Sequence, residues 1–127
     1  MRNILPTHTC FNDALELLGE ALQSNEGAAE SGELLLVHAI CLLPNGEEYS
    51  HAWVECLGKY VWFVGILDGK REQFAADLNE YYIDARVKET TKYTPLQAWQ
   101  FNRKHVTYGP WEEKYQKLCK EKTSNEV

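Results

Sequence analysis

The sequence predicts an α+β domain: an N-terminal helix packed on an antiparallel sheet of about four strands, with further helices towards the C-terminus. Two patterns predict it. Apolar residues recur at helical spacing early in the chain, and apolar or alternating runs separated by short turns follow. A chain of 127 residues is long enough to bury a core without disulfides or metals, so we expect one domain over 1–122 and a frayed tail at 123–127.

The first helix is expected from Cys10 to about Leu22, with Thr9 as its N-cap, because Phe11 begins a series of apolar residues at helical spacing. An exposed loop follows at 24–33, where Gly, Ala, Ser and Glu dominate. Three strands of an antiparallel meander are then expected at 34–43, 47–56 and 60–67.

The turn between the first two of these strands contains Pro44-Asn45-Gly46. If it pairs Leu43 with Glu48, the same register sets His38 opposite Trp53 and places it near His51. His38 is then either an accessory polar group or a core histidine.

Asp68-Gly69 ends the meander, and the second half of the chain is expected to be largely helical. Helical spacing of Phe74, Ala75 and Leu78 predicts a short helix from Arg71 to Tyr82. The remaining elements are a half-exposed strand at 87–93, a helix from the capping box at Thr94 to about His105, and a charged helix at 112–122.

Composition excludes several classes of protein. A net charge of −6 without a basic stripe argues against nucleic-acid binding. No apolar run approaches the roughly 18 residues of a membrane span, and the N-terminus lacks a signal pattern, so a soluble, cytoplasmic protein is expected. The four cysteines form no CxxC pair, and strand alternation keeps His38, Cys41, His51 and Cys56 from converging on zinc. We expect no metal and no cofactor.

The strongest functional pattern is the strand-like run Tyr49-Ser-His-Ala-Trp-Val-Glu55. Alternation places His51, Trp53 and Glu55 on one face and Ala52 and Val54 on the other. A histidine titrates near neutral pH and can move protons for a nucleophile. Cys10 is the candidate nucleophile, because a helix N-terminus favours the thiolate. The structural alternatives are a histidine that hydrogen-bonds its neighbours and a cysteine that only packs in the core.

Cys10-Phe-Asn-Asp-Ala14 at a helix start, with His51-Ala-Trp-Val-Glu55 on a strand, resembles the signature of small papain-like or transglutaminase-like cysteine enzymes of bacteria and phages. The resemblance covers about the first half of the chain. It implies that Cys10 is the nucleophile and His51 the general base of an amide or peptide hydrolase or a transamidase. It also implies a peptide, amide or ester substrate and an acyl-enzyme as the covalent intermediate.

The sequence departs from this family at the third catalytic residue. The Asp expected after an aromatic residue on the next strand is Phe63 here, which leaves Asp68 as our choice and Glu55 as the alternative. Oxyanion donors are expected from the Cys10 backbone, with Asn3 or His8 as candidates to assist it. Residues expected near a substrate cleft are Asn12, Trp53, Glu55 and Trp62. If no residue orients His51, the alternative is a degenerate member: a binding module or inhibitor with a protein or small-ligand partner.

Overall fold

The computed structural model describes residues 5–6, 9–24 and 34–125. The elements in chain order are β1 (Leu5–Pro6), α1 (Cys10–Ser24), β2 (Leu34–Leu42), β3 (Glu48–Cys56), β4 (Tyr60–Leu67), β5 (Lys70–Asp77), α2 (Leu78–Asp84), β6 (Val87–Tyr93), α3 (Pro95–His105) and α4 (Glu113–Asn125). The α+β class, with a helix first, an antiparallel sheet and helices last, is confirmed. The last helix continues past its predicted end at Lys122. Of the loop predicted at 24–33, Ser24 belongs to α1 and residues 25–33 lie outside the described part of the chain.

In the described part of the chain the sheet has six strands, including the two-residue β1, in the order β1-β4-β3-β2-β6, with β5 paired to β4. Its two faces are covered by different elements. The first, here the α1 face, packs against α1, α3 and α4 through a core that includes Leu36, Val54 and Trp111. The second, here the α2 face, packs against α2 through a core that includes Trp53 and Tyr81, and to which β5 contributes Phe74. None of the described helices is long and apolar enough to cross a membrane.

The register of β2 on β3 differs from the prediction by one residue. The ladder pairs Leu42 with Glu48 and His38 with Ala52. The connection is a three-residue turn closed by a hydrogen bond from the Leu43 N–H to the Glu47 carbonyl at 2.8 Å, and Gly46 adopts the left-handed conformation, with φ of 89°. Because a slip of one residue moves a side chain to the other face, the expectation that the two histidines are neighbours is wrong. His38 lies on the α1 face and His51 on the α2 face.

The helix predicted from Arg71 to Tyr82 is also wrong in its first part, which forms β5 paired with β4 along the whole of Tyr60–Leu67. Asp68 and Gly69 both have positive φ, 53° and 76°, as in the two-residue turn that suits the twist of a hairpin. The chain therefore turns back as a strand. The helix begins later, at Leu78, where Asp77 caps it by accepting a hydrogen bond from the Glu80 N–H at 3.1 Å.

Strands β3 and β4 separate after a short stretch of pairing, which joins Val54–Cys56 to Tyr60–Trp62. The other end of β4 pairs with β1, through Gly65 and Ile66. Since β5 occupies one edge of β4 throughout, β1 lies on the edge that β3 leaves. The strand that precedes α1 in the chain thus extends the sheet where β3 and β4 are no longer paired.

Candidate functional site

Cys10 is the first residue of α1 and is buried beside Phe11 in the core of the α1 face. One turn later, the buried Asp13 carboxylate accepts hydrogen bonds from the Thr9 hydroxyl, at 3.0 Å, and from the Arg71 guanidinium. Thr9 thus stabilises the first turn of α1 by donating a hydrogen bond to the Asp13 side chain. These contacts fix the first turn of α1, and with it the backbone that carries the thiol.

His51 is buried on the α2 face, with Trp53 and Glu55, as the alternation of β3 predicts. Its Nε2 lies 2.9 Å from the Tyr81 hydroxyl, at hydrogen-bonding distance. The imidazole is flanked by the rings of Tyr49 and Trp53, whose centroids are 5.9 and 5.6 Å away. Packing on both sides and a bond at one nitrogen hold the ring in one orientation.

The cluster around His51 responds to charge at Cys10, although Cys10 packs on the α1 face. Burial raises the pKa of Cys41 to about 12, and a negative charge at Cys10 contributes to that rise. Burial and, after it, charges that include Cys10 also raise the pKa of Tyr49 and of Tyr81. Tyr49 hydrogen-bonds the Cys41 thiol and stacks near His51, and Tyr81 bonds His51 directly. Burial is the first cause of each of these shifts, and charge at Cys10 adds to it in the same direction.

Tyr81 occupies the position that the sequence analysis assigned to a carboxylate. It is 4% exposed, and burial raises its pKa well above the ordinary value, so the hydroxyl keeps its proton at neutral pH. It either donates to a neutral Nε2 or accepts from Nε2–H, according to the tautomer. A neutral hydroxyl fixes the direction of the imidazole without adding a charge.

Asp68 and Glu55, the two carboxylates considered as partners of His51, lie at other positions in the fold. Asp68 is exposed in the β4–β5 turn, and within the described part of the chain no hydrogen bond joins it to His51. Glu55 is buried but accepts from the Trp53 indole at 3.1 Å, the Lys92 ammonium at 2.8 Å and the Tyr82 hydroxyl. Its oxygens are engaged along the sheet, away from the imidazole.

The predicted cleft residues do not form one cleft. Trp53 is fully buried on the α2 face, whereas Trp62 is half-buried against the core of the α1 face. Glu55 is buried as well, and Asn12 is exposed on α1. The expectation that Trp53 and Trp62 wall a common substrate cleft is therefore wrong, because they lie on opposite sides of the sheet. Asn3 and His8, the candidate oxyanion donors, lie outside the described residues.

His38 is a core residue of the α1 face and not an accessory to His51. It is fully buried, and among the described residues neither ring nitrogen has a hydrogen-bond partner. The ring centroids of Phe11, Tyr93 and Trp111 are 4.8, 5.0 and 5.0 Å from its own. Burial lowers its pKa to about 3, so the ring is neutral at physiological pH.

In the part of the chain that the structure describes, no group of three or more His, Cys, Asp and Glu side chains is arranged to hold a metal ion. Comparisons of the chain with protein-family models, curated proteins and solved structures found no match. The functional argument therefore depends on the chemistry of the cluster formed by His51, Tyr81 and their neighbours.

Proposed function

We propose that this protein is a cysteine-dependent acyl-transfer enzyme, with Cys10 as nucleophile and His51 as general base. Two observations support the proposal: a hydrogen bond to Tyr81 fixes the orientation of the buried His51, and Cys10 is the first residue of α1.

The reaction begins when the Cys10 sulfur attacks the carbonyl carbon of an amide or ester and its proton passes to His51. A C–S bond forms, and the C–N or C–O bond to the leaving group breaks. His51 returns the proton to the departing amine or alcohol. Water or an amine then attacks the acyl-enzyme, with His51 accepting its proton, and the thiol is restored. Water gives hydrolysis, and an amine gives transamidation.

Tyr81 orients His51 in this mechanism. With Nε2 bonded to the hydroxyl, proton exchange with the thiol runs through Nδ1. Because the hydroxyl is neutral, it stabilises the imidazolium less than a carboxylate does. The same property supports the second candidate, a binding module that has the fold of an enzyme without its turnover.

Site-resolved alkylation of the folded protein with iodoacetamide separates these functions. We expect Cys10 to react fastest, and His51→Ala to slow it by roughly tenfold to a hundredfold, because the base that removes its proton is lost. Cys41, with its pKa raised to about 12, is the slow internal reference.

His105→Ala is the matched control, since His105 is exposed on α3 and its removal should leave the rate unchanged. Circular dichroism verifies that each variant is folded. If Cys10 reacts no faster than Cys41 and does not respond to His51→Ala, the enzyme proposal is wrong and the binding module is the remaining candidate.

A further inference from the structure

Helix α3 carries an exposed apolar stripe. Leu96, Trp99 and Val106 are 62%, 54% and 85% exposed, and Arg103 lies over the Trp99 ring with its guanidinium carbon 4.7 Å from the ring centroid. The spacings of three and four residues place Leu96, Trp99 and Arg103 on one side of the helix, and Val106 follows His105 as the C-cap residue. We call Leu96, Trp99, Arg103 and Val106 the α3 stripe. Adjoining exposed large apolar residues of this kind mark interaction surfaces.

The end of the stripe is held in an unfavourable backbone conformation. Val106 has φ of 54° and ψ of 37°, in the left-handed region, which a β-branched residue rarely adopts. Its side chain is almost fully exposed, so packing within the molecule does not explain its retention there. Residues held in such conformations concentrate at functional surfaces.

The charge around the stripe is opposite to that of the chain. Between Thr90 and Trp111 the sequence has no Asp or Glu, and it has Lys92, Arg103 and Lys104, in a chain of net charge −6. A partner that fits this surface combines carboxylates with an apolar contact.

A surface with these properties lies on the other side of the same molecule. A hollow of about 610 Å³ between β5 and α2 is lined by acidic side chains, including Asp77, Glu80 and Asp84. Ile83, which is 75% exposed, lies in the same lining. We call this the acidic hollow. It is large enough to receive an aromatic side chain, and its carboxylates suit a guanidinium.

We propose that copies of this chain associate head to tail, with the α3 stripe of one copy docked in the acidic hollow of the next. Trp99 enters the hollow against Ile83, and Arg103 pairs with the surrounding carboxylates. The stripe is on the α1 face and the hollow on the α2 face, so each copy keeps one surface unfilled and the assembly is open-ended. This proposal of self-association does not depend on the proposed acyl-transfer activity.

Complementation between two variants tests the proposal. Sedimentation velocity of the wild type should give an average mass that rises continuously with protein concentration. Trp99→Ser with Arg103→Glu removes the stripe, and Ile83→Ser with Asp84→Lys removes the hollow. All four residues are exposed, so the variants should fold. Each variant alone is expected to be monomeric, whereas an equimolar mixture forms a heterodimer, because each copy supplies the surface that the other lacks.

Tyr60→Ser is the matched control, since Tyr60 is an exposed aromatic residue outside both surfaces and its loss should leave association unchanged. Raising the salt concentration from 0.05 to 0.5 M should weaken association by about tenfold or more, because charge pairs contribute to it. A wild type that stays monomeric at all concentrations overturns the proposal. So does a mixture that stays monomeric, since a symmetric contact cannot be restored by combining two defective variants.

Discussion

Each face of the central sheet buries one histidine, and the two have opposite surroundings. His51 on the α2 face has a tyrosine hydroxyl at its Nε2, and His38 on the α1 face is enclosed by aromatic rings without a hydrogen bond from the described residues. Both imidazoles are out of contact with water. The comparison teaches that burial alone makes a histidine a neutral packing group, whereas burial with one polar partner also fixes the orientation of its ring.

The largest expected difference between the faces is in the dependence of stability on pH. The pKa of His38 is about 3 in the folded protein and about 6.5 in the unfolded chain. Below pH 6.5 the unfolded state binds a proton that the folded state does not, so stability falls as the pH is lowered. The loss is about 2 kcal/mol at pH 5 and about 4 kcal/mol at pH 3.

Urea unfolding of the wild type and His38→Leu between pH 7.5 and 4 measures this loss. The wild type should lose more stability than the variant over that range, while His105→Ala retains the behaviour of the wild type. If the wild type and His38→Leu lose the same stability over this pH range, His38 is protonated in the folded state as readily as in the unfolded chain.

The next effect concerns the packing of the α1 face. A Cβ added at Gly109 would lie 2.9 Å from Cε1 of His38, and Gly109 has φ of 113°. Gly109→Ala should therefore lower the free energy of unfolding by about 2–4 kcal/mol, through steric overlap with a buried ring and backbone strain. In Gly19→Ala, the added Cβ meets no atom within 4 Å and lies on a helix, so a gain of up to about 1 kcal/mol is expected. Thermal unfolding of the two variants measures both changes in stability. If Gly109→Ala is as stable as Gly19→Ala, the residues around His38 are loosely packed.

The smallest effect on stability is expected on the α2 face. Tyr81→Phe removes the hydroxyl at His51 and should cost about 1–2 kcal/mol, because a buried nitrogen loses its hydrogen bond. If the role of Tyr81 is purely structural, this loss of stability is the only expected effect. A positioning role also predicts that the His51 tautomer, read from nitrogen-15 chemical shifts, becomes mixed and that alkylation of Cys10 slows. Tyr60→Phe, at an exposed position, controls for loss of a hydroxyl.

The sequence predicted the parts of this comparison that depend on local pattern. Alternation in β3 correctly placed His51, Trp53 and Glu55 together, and the capping box at Thr94 correctly marked the start of α3. The predicted proximity of His38 to His51 was wrong because the pairing of Leu43 with Glu48 is displaced by one residue, so that Leu42 pairs with Glu48. The alternative of a core histidine agrees with the burial of His38. The role assigned to Asp68 failed for a related reason, since the Asp-Gly pair makes a hairpin at the surface.

The partner of His51 could not be found from spacing. Tyr81 is 30 positions away and reaches His51 because β5 returns the chain across the α2 face before α2 begins. The sequence predicted a helix over that region, so no pairing between the two residues followed. Only tertiary contacts distinguish Tyr81 from the adjacent Tyr82, which bonds Glu55.

Glu55 joins three elements that are distant in sequence, since its carboxylate holds Trp53 of β3, Tyr82 of α2 and Lys92 of β6. Lys92 is partly open to solvent, whereas the carboxylate is not. Removing the charge of the Lys92 amine leaves the buried Glu55 carboxylate with one charged donor fewer and weakens its hold on the Tyr82 hydroxyl. Tyr82 is adjacent to Tyr81 in the chain. The two buried polar side chains of β3, His51 and Glu55, are thus anchored to consecutive residues of one short helix.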